Sequence, residues 1–158
     1  MRTLGNVLWH FPFLGFVNAI IAYLFGLFLT LTVIAAPIGR GLMEYAKFLF
    51  APYSRAMVKE SELTKGQPLT TGRKIWKGFS TVVAIFYIPF IGLPLSLFAI
   101  MQTVGLCFTL VGIPVAIVIA KSIGVYFNPV GKKCVPIAVA QELERKKAQK
   151  YLEGKKES

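Results

Sequence analysis

The sequence predicts an all-α membrane protein built from two tandem transmembrane helical hairpin repeats, with about four crossings, short amphipathic segments and a cytosolic C-terminal helix. Two long apolar blocks, Leu4–Ala36 and Phe79–Ala120, contain no Lys, Arg, Asp or Glu. The second block repeats the pattern of the first. The other segments hold the charged residues, which give a net charge of +11.

Both blocks are too long and too apolar for the core helices of a globular domain. One helical crossing of a bilayer needs roughly 20 apolar residues, and a helix without polar positions has no face for water. Arg2 precedes the first block as in a signal peptide, but an h-region has only about 7–15 residues. Pro37 also follows the small pair Ala35-Ala36, where it disfavours cleavage. We therefore expect the first block to stay in the mature protein.

A tandem repeat becomes visible when the chain is laid over itself at an offset of 77 residues. The segment Pro12-Phe13-Leu14-Gly15 then falls on Pro89-Phe90-Ile91-Gly92, and the later prolines of the first half fall on prolines of the second. Matching prolines at matching spacing indicate a duplicated unit. Because proline lacks an N–H group and crowds the preceding turn, we predict helix breaks at Pro12, Pro37, Pro52, Pro89, Pro114 and Pro129.

Small residues recur on one helical face of each unit. Their spacing of i, i+4, i+7 and i+11 places them on the same side of a helix. Small faces allow helix backbones to approach closely in a membrane, so the face is predicted either to pack against another helix or to line a conduit. The eight residues are Gly15, Ala19, Ala22 and Gly26 in the first unit and Gly92, Ser96, Ala99 and Thr103 in the second.

Charge outside the blocks predicts the topology. We expect membrane repeats at 1–58 and 79–135, a basic cytosolic linker at 59–78 and a basic cytosolic helical tail at 136–158. Basic segments flanking membrane helices stay in the cytoplasm, so both termini are predicted to be cytoplasmic. The first apolar block is the shorter one, and one of its arms could be re-entrant if protein buries the free backbone groups.

Four charges lie close to the apolar blocks. Arg40, Glu44 and Lys47 share an amphipathic segment, and Lys121 falls opposite Glu44 at the offset of 77. Long charged side chains at this position can extend to the interface, or Glu44 and Lys121 can pair between the two units, since charges at membrane depth need partners. Trp76 is predicted to be an interfacial anchor.

No catalytic or metal-binding pattern is present in the sequence. His10 is the only histidine and the chain contains no Asp, so a Ser–His–Asp triad cannot form. Cys107 and Cys134 lack metal-ligand spacing, and Glu44 is the only acid near either block. We therefore expect a protein that is not an enzyme and that uses no metal or cofactor.

The repeated residues also resemble the YccF family of bacterial inner-membrane proteins. The similarity covers about residues 1–140 and includes the segments at 36–40, 51–54, 111–114 and 128–132, together with Lys121. Ala116 and Ser54 stand where the family usually has Gly. The resemblance implies a multipass protein of the bacterial inner membrane and implies no assigned reaction.

Two functions fit these expectations. The first is a channel or small-solute conduit formed by a homo-oligomer, because one small chain cannot enclose a pathway alone. The alternative is a structural or regulatory membrane module whose basic linker and tail hold anionic phospholipid headgroups or a cytosolic partner. A secondary transporter would need more polar groups at mid-membrane. Nucleic acid is not an expected partner, since the basic segments flank membrane blocks.

Overall fold

A computed structural model of the chain describes residues 2–11, 13–64, 71–110 and 112–156. The protein is mostly helical, as the sequence predicts. In chain order its elements are α1 (Arg2–His10), α2 (Gly15–Leu31), α3 (Ala36–Leu49), β1 (Arg55–Lys59), α4 (Glu60–Leu63), α5 (Thr71–Tyr87), a π-helical turn (Ile88–Gly92), α6 (Leu93–Cys107), α7 (Ile113–Phe127), β2 (Lys132–Pro136) and α8 (Ile137–Lys156).

Two helical hairpins make up the apolar part of the molecule. Helix α2 packs along α3, and α6 packs along α7. In the first hairpin the backbones touch at a pair of glycines: a Cβ added to Gly26 would lie 2.8 Å from the carbonyl oxygen of Gly39. Such close approach is how helices associate where lipid offers no hydrophobic drive.

The same Pro-Phe-x-Gly motif has two structural outcomes. In the first unit α1 and α2 meet at a bend of 77°, and Leu14 adopts a left-handed backbone conformation with φ of 52°. In the second unit the chain continues as one helix through Pro89, which lies in the π-helical turn. A π-helical turn accommodates the backbone hydrogen bond that proline cannot donate. The helix therefore continues through Pro89, where the sequence predicted a break.

The number of membrane-capable helices is smaller than the predicted four crossings. Within the described residues, one helix, Thr71–Cys107, is long and apolar enough to cross a bilayer, and the bent α1–α2 pair would be a second. That helix has 37 residues, or about 55 Å at 1.5 Å per residue, well over the roughly 30 Å of a hydrocarbon core. Helices α3 and α7 are shorter, with 14 and 15 residues.

A two-stranded antiparallel ribbon corrects the all-α prediction. Strands β1 and β2 pair with Met57 opposite Cys134 at the centre and Arg55 opposite Pro136 at one end. The two strands come from matching places in the two units, since Arg55 and Lys132 begin them 77 positions apart. Each strand is only five residues long and finds its partner far along the chain, so neither shows a hairpin signal in the sequence.

The ribbon register and the helix contacts describe an approximate twofold relation between the units. Helices α3 and α7 run in opposite directions: Gly41, early in α3, touches the carbonyl of Pro129 after the end of α7. At the other end, the Tyr53 hydroxyl donates to the carbonyl of Pro114 at 2.7 Å. The first turns of α3 and α7 therefore lie at opposite ends of this helix pair.

Candidate functional site

A buried polar cluster lies where α3 and α7 cross. The Tyr45 hydroxyl donates to Ser122 Oγ at 3.0 Å and lies 2.8 Å from the hydroxyl of Tyr126. Ser122 Oγ in turn donates to the carbonyl of Val118 at 2.8 Å. Tyr45 is 5% exposed and Ser122 is fully buried, so these bonds replace water that the hydroxyls have lost. A satisfied polar network of this kind specifies how the two helices meet.

Glu44 holds α3 to the ribbon. Its Oε1 accepts a hydrogen bond from Lys47 at 2.6 Å, and its Oε2 accepts the backbone N–H of Cys134 at 3.0 Å. The N–H of Cys134 therefore points away from β1 and toward α3. Both carboxylate oxygens of Glu44 have charged or polar donors, as a half-buried acid requires.

Lys121 is held against the other unit's chain rather than against Glu44. Its Nζ donates to the carbonyl of Pro52 at 3.2 Å and lies 5.0 Å from the centre of the Tyr53 ring. Of the two alternatives that the sequence left open, the Glu44–Lys121 ion pair is therefore not formed. Only residues on the twofold axis meet their own counterparts, as Tyr45 and Ser122 do. Glu44 and Lys121, each one residue earlier in its helix, lie on opposite sides of this axis.

Arg40 has an aromatic partner from the long helix. Its guanidinium carbon lies 4.6 Å from the centre of the Trp76 ring, a cation–π contact. This contact fixes the start of α5 beside the start of α3. Trp76 remains partly exposed, and its role as an interfacial anchor stays a prediction.

Side chains from α1 and α5 bind the last carbonyls of α3 and α7. Trp9 donates to the carbonyl of Leu49 at 2.9 Å, and Tyr87 donates to the carbonyl of Tyr126 at 3.2 Å. The two acceptors are counterparts at the offset of 77. His10 Nε2 lies 2.9 Å from the carbonyl of Phe50, so the single histidine has a structural contact at a helix end, where carbonyls lack helical partners.

The predicted small-residue faces point toward neighbouring protein. Gly15, Ala19, Gly26, Gly92, Ser96 and Ala99 are buried, and Ala22 and Thr103 are half-buried. A Cβ on Gly15 would collide with the Trp9 ring, and one on Gly92 with the carbonyl of Phe127. These faces are therefore occupied by contacts within the chain.

Among the described residues, the predicted helix-breaking prolines lie at element boundaries, except Pro89. Pro37 and Pro114 open α3 and α7 in the first turn, where proline's missing N–H has no helical partner to lose. Pro52 and Pro129 are buried between a helix end and the ribbon. Pro89 is the exception within a continuous helix, and Pro12 lies outside the described residues.

The polar centre of the molecule was not among the predicted site residues. Tyr45, Ser122 and Tyr126 form it. One signal was available: Tyr45 and Ser122 are polar residues at matching positions of two apolar repeats. Polar positions that coincide in a duplicated unit are candidates for contacts on a symmetry axis.

The ribbon contains the half-buried thiol of Cys134. Burial raises the pKa of this thiol, and the nearby Arg55 guanidinium opposes that shift. Burial and the neighbouring Lys59 ammonium lower the pKa of Lys132. Within the described residues no group of three or more His, Cys, Asp or Glu is close enough to hold a metal ion.

Comparison with known proteins identifies relatives in the bacterial inner membrane. The family model of the inner membrane component domain YccF matches residues 4–55. The chain is 30% identical over 156 residues to the inner membrane protein YccF of Escherichia coli strain K12, which covers 97% of this chain and all of that protein. The inner membrane protein YccF of Shigella flexneri matches with the same identity and coverage. No solved structure matches the chain.

Proposed function

Because the chain belongs to the YccF family of inner membrane proteins, we propose that it is a membrane module without enzymatic activity that binds anionic phospholipid headgroups. The apolar hairpins anchor it in the bilayer. The ribbon of β1 and β2 and the charged faces of α3 and α7 form the ribbon side of the molecule. This ribbon side binds lipid headgroups at the cytoplasmic surface.

The separation of charge across the molecule supports this proposal. Helices α2 and α6 contain no Lys, Arg, Asp, Glu or His. On α3, Gly39 and Met43 face α2, whereas Gly41 and Glu44 face the ribbon and its flanking loop on roughly the opposite side of the helix. The ribbon adds Arg55, Lys59, Lys132 and Lys133. Lys and Arg close to a membrane attract anionic lipids by about 1 kcal/mol each.

The position of the ribbon supports one orientation in the membrane. The ribbon packs midway along the antiparallel pair of α3 and α7, at Glu44. If this pair stood along the bilayer normal, the lysines of the ribbon would lie at mid-membrane, where charged side chains are costly. We infer that the pair lies along the membrane surface, with α2 and α6 in the hydrocarbon. The positive-inside rule then assigns the ribbon side and both termini to the cytoplasm.

The twofold relation supports a duplication of the unit. Elements α3 and α7 begin 77 residues apart, and so do β1 and β2. The central ribbon pair, Met57 and Cys134, consists of counterparts. A duplicated segment that packs as its own twofold partner resembles an isologous dimer fused into one chain.

A channel formed by a homo-oligomer is the second candidate, and its support comes from exposed surface. Large apolar side chains such as Leu24, Phe28, Phe98 and Met101 are exposed on α2 and α6, so further copies could associate there within the bilayer. The small residues that were predicted either to pack or to line a conduit are packed against protein inside the chain. We therefore rank the lipid-binding module first.

Lipid retention tests the proposed function directly. The purified protein would be exchanged into discs of phosphatidylcholine with and without phosphatidylglycerol, and retained lipid would be counted by native mass spectrometry. We expect phosphatidylglycerol to be enriched several-fold. The variant Lys59→Gln/Lys133→Gln should reduce the enrichment, while Lys146→Gln/Lys150→Gln in α8, with the same loss of charge, should preserve more of it. Equal retention of both lipids by the unaltered protein would overturn the proposal.

A further inference from the structure

The twofold relation exposes one place where the two halves differ in chemistry. In one half, the outward N–H of Cys134 on β2 is bound by the carboxylate of Glu44. The counterpart of Cys134 is Met57 on β1, and the counterpart of Glu44 is Lys121 on α7. The acceptor of the first half is thus replaced by a donor in the second.

The ribbon register determines where the Met57 N–H points. Glu60 N donates to the carbonyl of Gly131, and Ile137 N donates to the carbonyl of Ser54. These two bonds belong to hydrogen-bonded pairs, and hydrogen-bonded and non-hydrogen-bonded pairs alternate along an antiparallel ladder. The central Met57–Cys134 pair lies three steps from each of them and is therefore a non-hydrogen-bonded pair. Both of its N–H groups point out of the ribbon. Cys134 meets Glu44 there, whereas Met57 points to the α7 side.

A cavity lies at this place on the α7 side. Its volume is about 190 Å³, and its lining consists of Phe48, Arg55, Ala56, Met57, Lys121 and Ile137. Arg55 and Lys121 are the charged residues of that lining, and both are cations. Lys121 is oriented by the Pro52 carbonyl and the Tyr53 ring. Its ammonium group has three N–H donors, and these contacts leave part of that capacity for another ligand.

The volume of the cavity and the hydrogen-bond donors in its lining indicate which class of ligand it can bind. Pockets for drug-sized ligands begin at roughly 300 Å³, so this cavity suits a single small group. A guanidinium, an ammonium and a backbone N–H are the donors that bind phosphate and carboxylate oxygens in proteins. We propose that the cavity binds one anionic oxygen group, a phosphate above all, in the position that the Glu44 carboxylate occupies in the other half.

This inference rests on the proposed function for the source of the phosphate, a phospholipid headgroup. Free phosphate offers the same chemistry, and the experiment separates the two. The key variant is Lys121→Glu, which places a carboxylate opposite Met57 just as Glu44 stands opposite Cys134. The control is Lys77→Gln on α5, which removes one positive charge outside the cavity lining.

Two measurements are made on each full-length variant in detergent. Thermal unfolding is followed in phosphate and in chloride at equal ionic strength, and phosphatidylglycerol retention is counted by native mass spectrometry. We expect phosphate to raise the Tm of the unaltered protein and of Lys77→Gln by several degrees, because a ligand that binds the folded state stabilises it. Lys121→Glu should lose this rise and should retain at least five-fold less phosphatidylglycerol.

Each alternative outcome has one meaning. If the unaltered protein enriches phosphatidylglycerol and Lys121→Glu does so equally, the cavity is not the site, although the proposed function stands. If phosphate stabilises the protein through Lys121 but no lipid is enriched, the cavity binds a free anion and the lipid-binding function is overturned. If neither phosphate nor phosphatidylglycerol distinguishes Lys121→Glu from Lys77→Gln, the anion site is overturned.

Discussion

The hydroxyl of Tyr45 donates a hydrogen bond of 3.0 Å to the hydroxyl of Ser122, and the two residues stand 77 positions apart in the chain. They lie at matching positions of α3 and α7, which are related by an approximate twofold axis. The contact joins α3 to α7 at the centre of the molecule. The next pair of counterparts on the axis, Met57 and Cys134, stand opposite each other at the centre of the ribbon.

Removing the Tyr45 hydroxyl should destabilise the packing of α3 on α7. We expect Tyr45→Phe to lower the free energy of unfolding by about 1–2 kcal/mol, since a buried partner loses its hydrogen bond. The measurement is denaturant unfolding in detergent, followed by circular dichroism. A double-mutant cycle with Ser122→Ala should show coupling of about 0.5 kcal/mol or more. Strictly additive effects would mean that the contact does not join the helices.

The glycine contact between α2 and α3 should not tolerate a methyl group. A Cβ on Gly39 would lie 2.5 Å from the carbonyl oxygen of Gly26, so Gly39→Ala must separate two backbones. We expect a loss of about 2 kcal/mol or more, measured as a lower Tm. Gly105→Ala is the matched control, because nothing lies within 4 Å of its Cβ position and alanine favours a helix by up to about 1 kcal/mol. Equal effects at the two glycines would argue against this hairpin contact.

The ribbon register predicts a specific disulfide. In a pair that does not exchange hydrogen bonds the Cα atoms are about 4.5 Å apart, within the range that a disulfide can bridge. Met57→Cys should therefore crosslink to the native Cys134 under mild oxidation, in a background with Cys107→Ser. A gel shift that reverses on reduction measures the bond. Ala56→Cys should crosslink poorly, because its side chain points to the other face of the ribbon; crosslinking at 56 in preference to 57 would show a different register.

The orientation along the membrane surface predicts how Cys107 reacts. This residue ends α6 next to the exposed apolar residues Phe108 and Leu110, so we expect its thiol to lie in hydrocarbon. A water-soluble maleimide should leave Cys107 unlabelled from either side of the membrane in a Cys134→Ser background. Ser61→Cys on α4, an exposed position, should be labelled from the cytoplasmic side. Labelling of Cys107 from the periplasmic side would instead show that α6 crosses the bilayer.

The helical class and some of the element boundaries follow from local sequence signals. The charge-free blocks predict membrane helices, and Pro37 and Pro114 correctly mark a change of element, although they begin helices rather than end them. The C-terminal helix was also expected and is present as α8. The ribbon was missed because five-residue strands with distant partners lack the periodicity and turn residues that reveal a hairpin.

The class of the protein can be predicted from the amino-acid sequence alone, because burial in lipid demands long runs without charge. The sequence also determines the offset of 77 residues, which a linear comparison can detect. The folded chain shows that α3 and α7 pack in opposite directions, so that Tyr45 meets Ser122 while Glu44 and Lys121 are kept apart. An offset says which residues are counterparts, but the direction of packing decides which counterparts touch. That direction depends on many side-chain contacts between α3, α7 and the ribbon, and a one-dimensional repeat does not contain it.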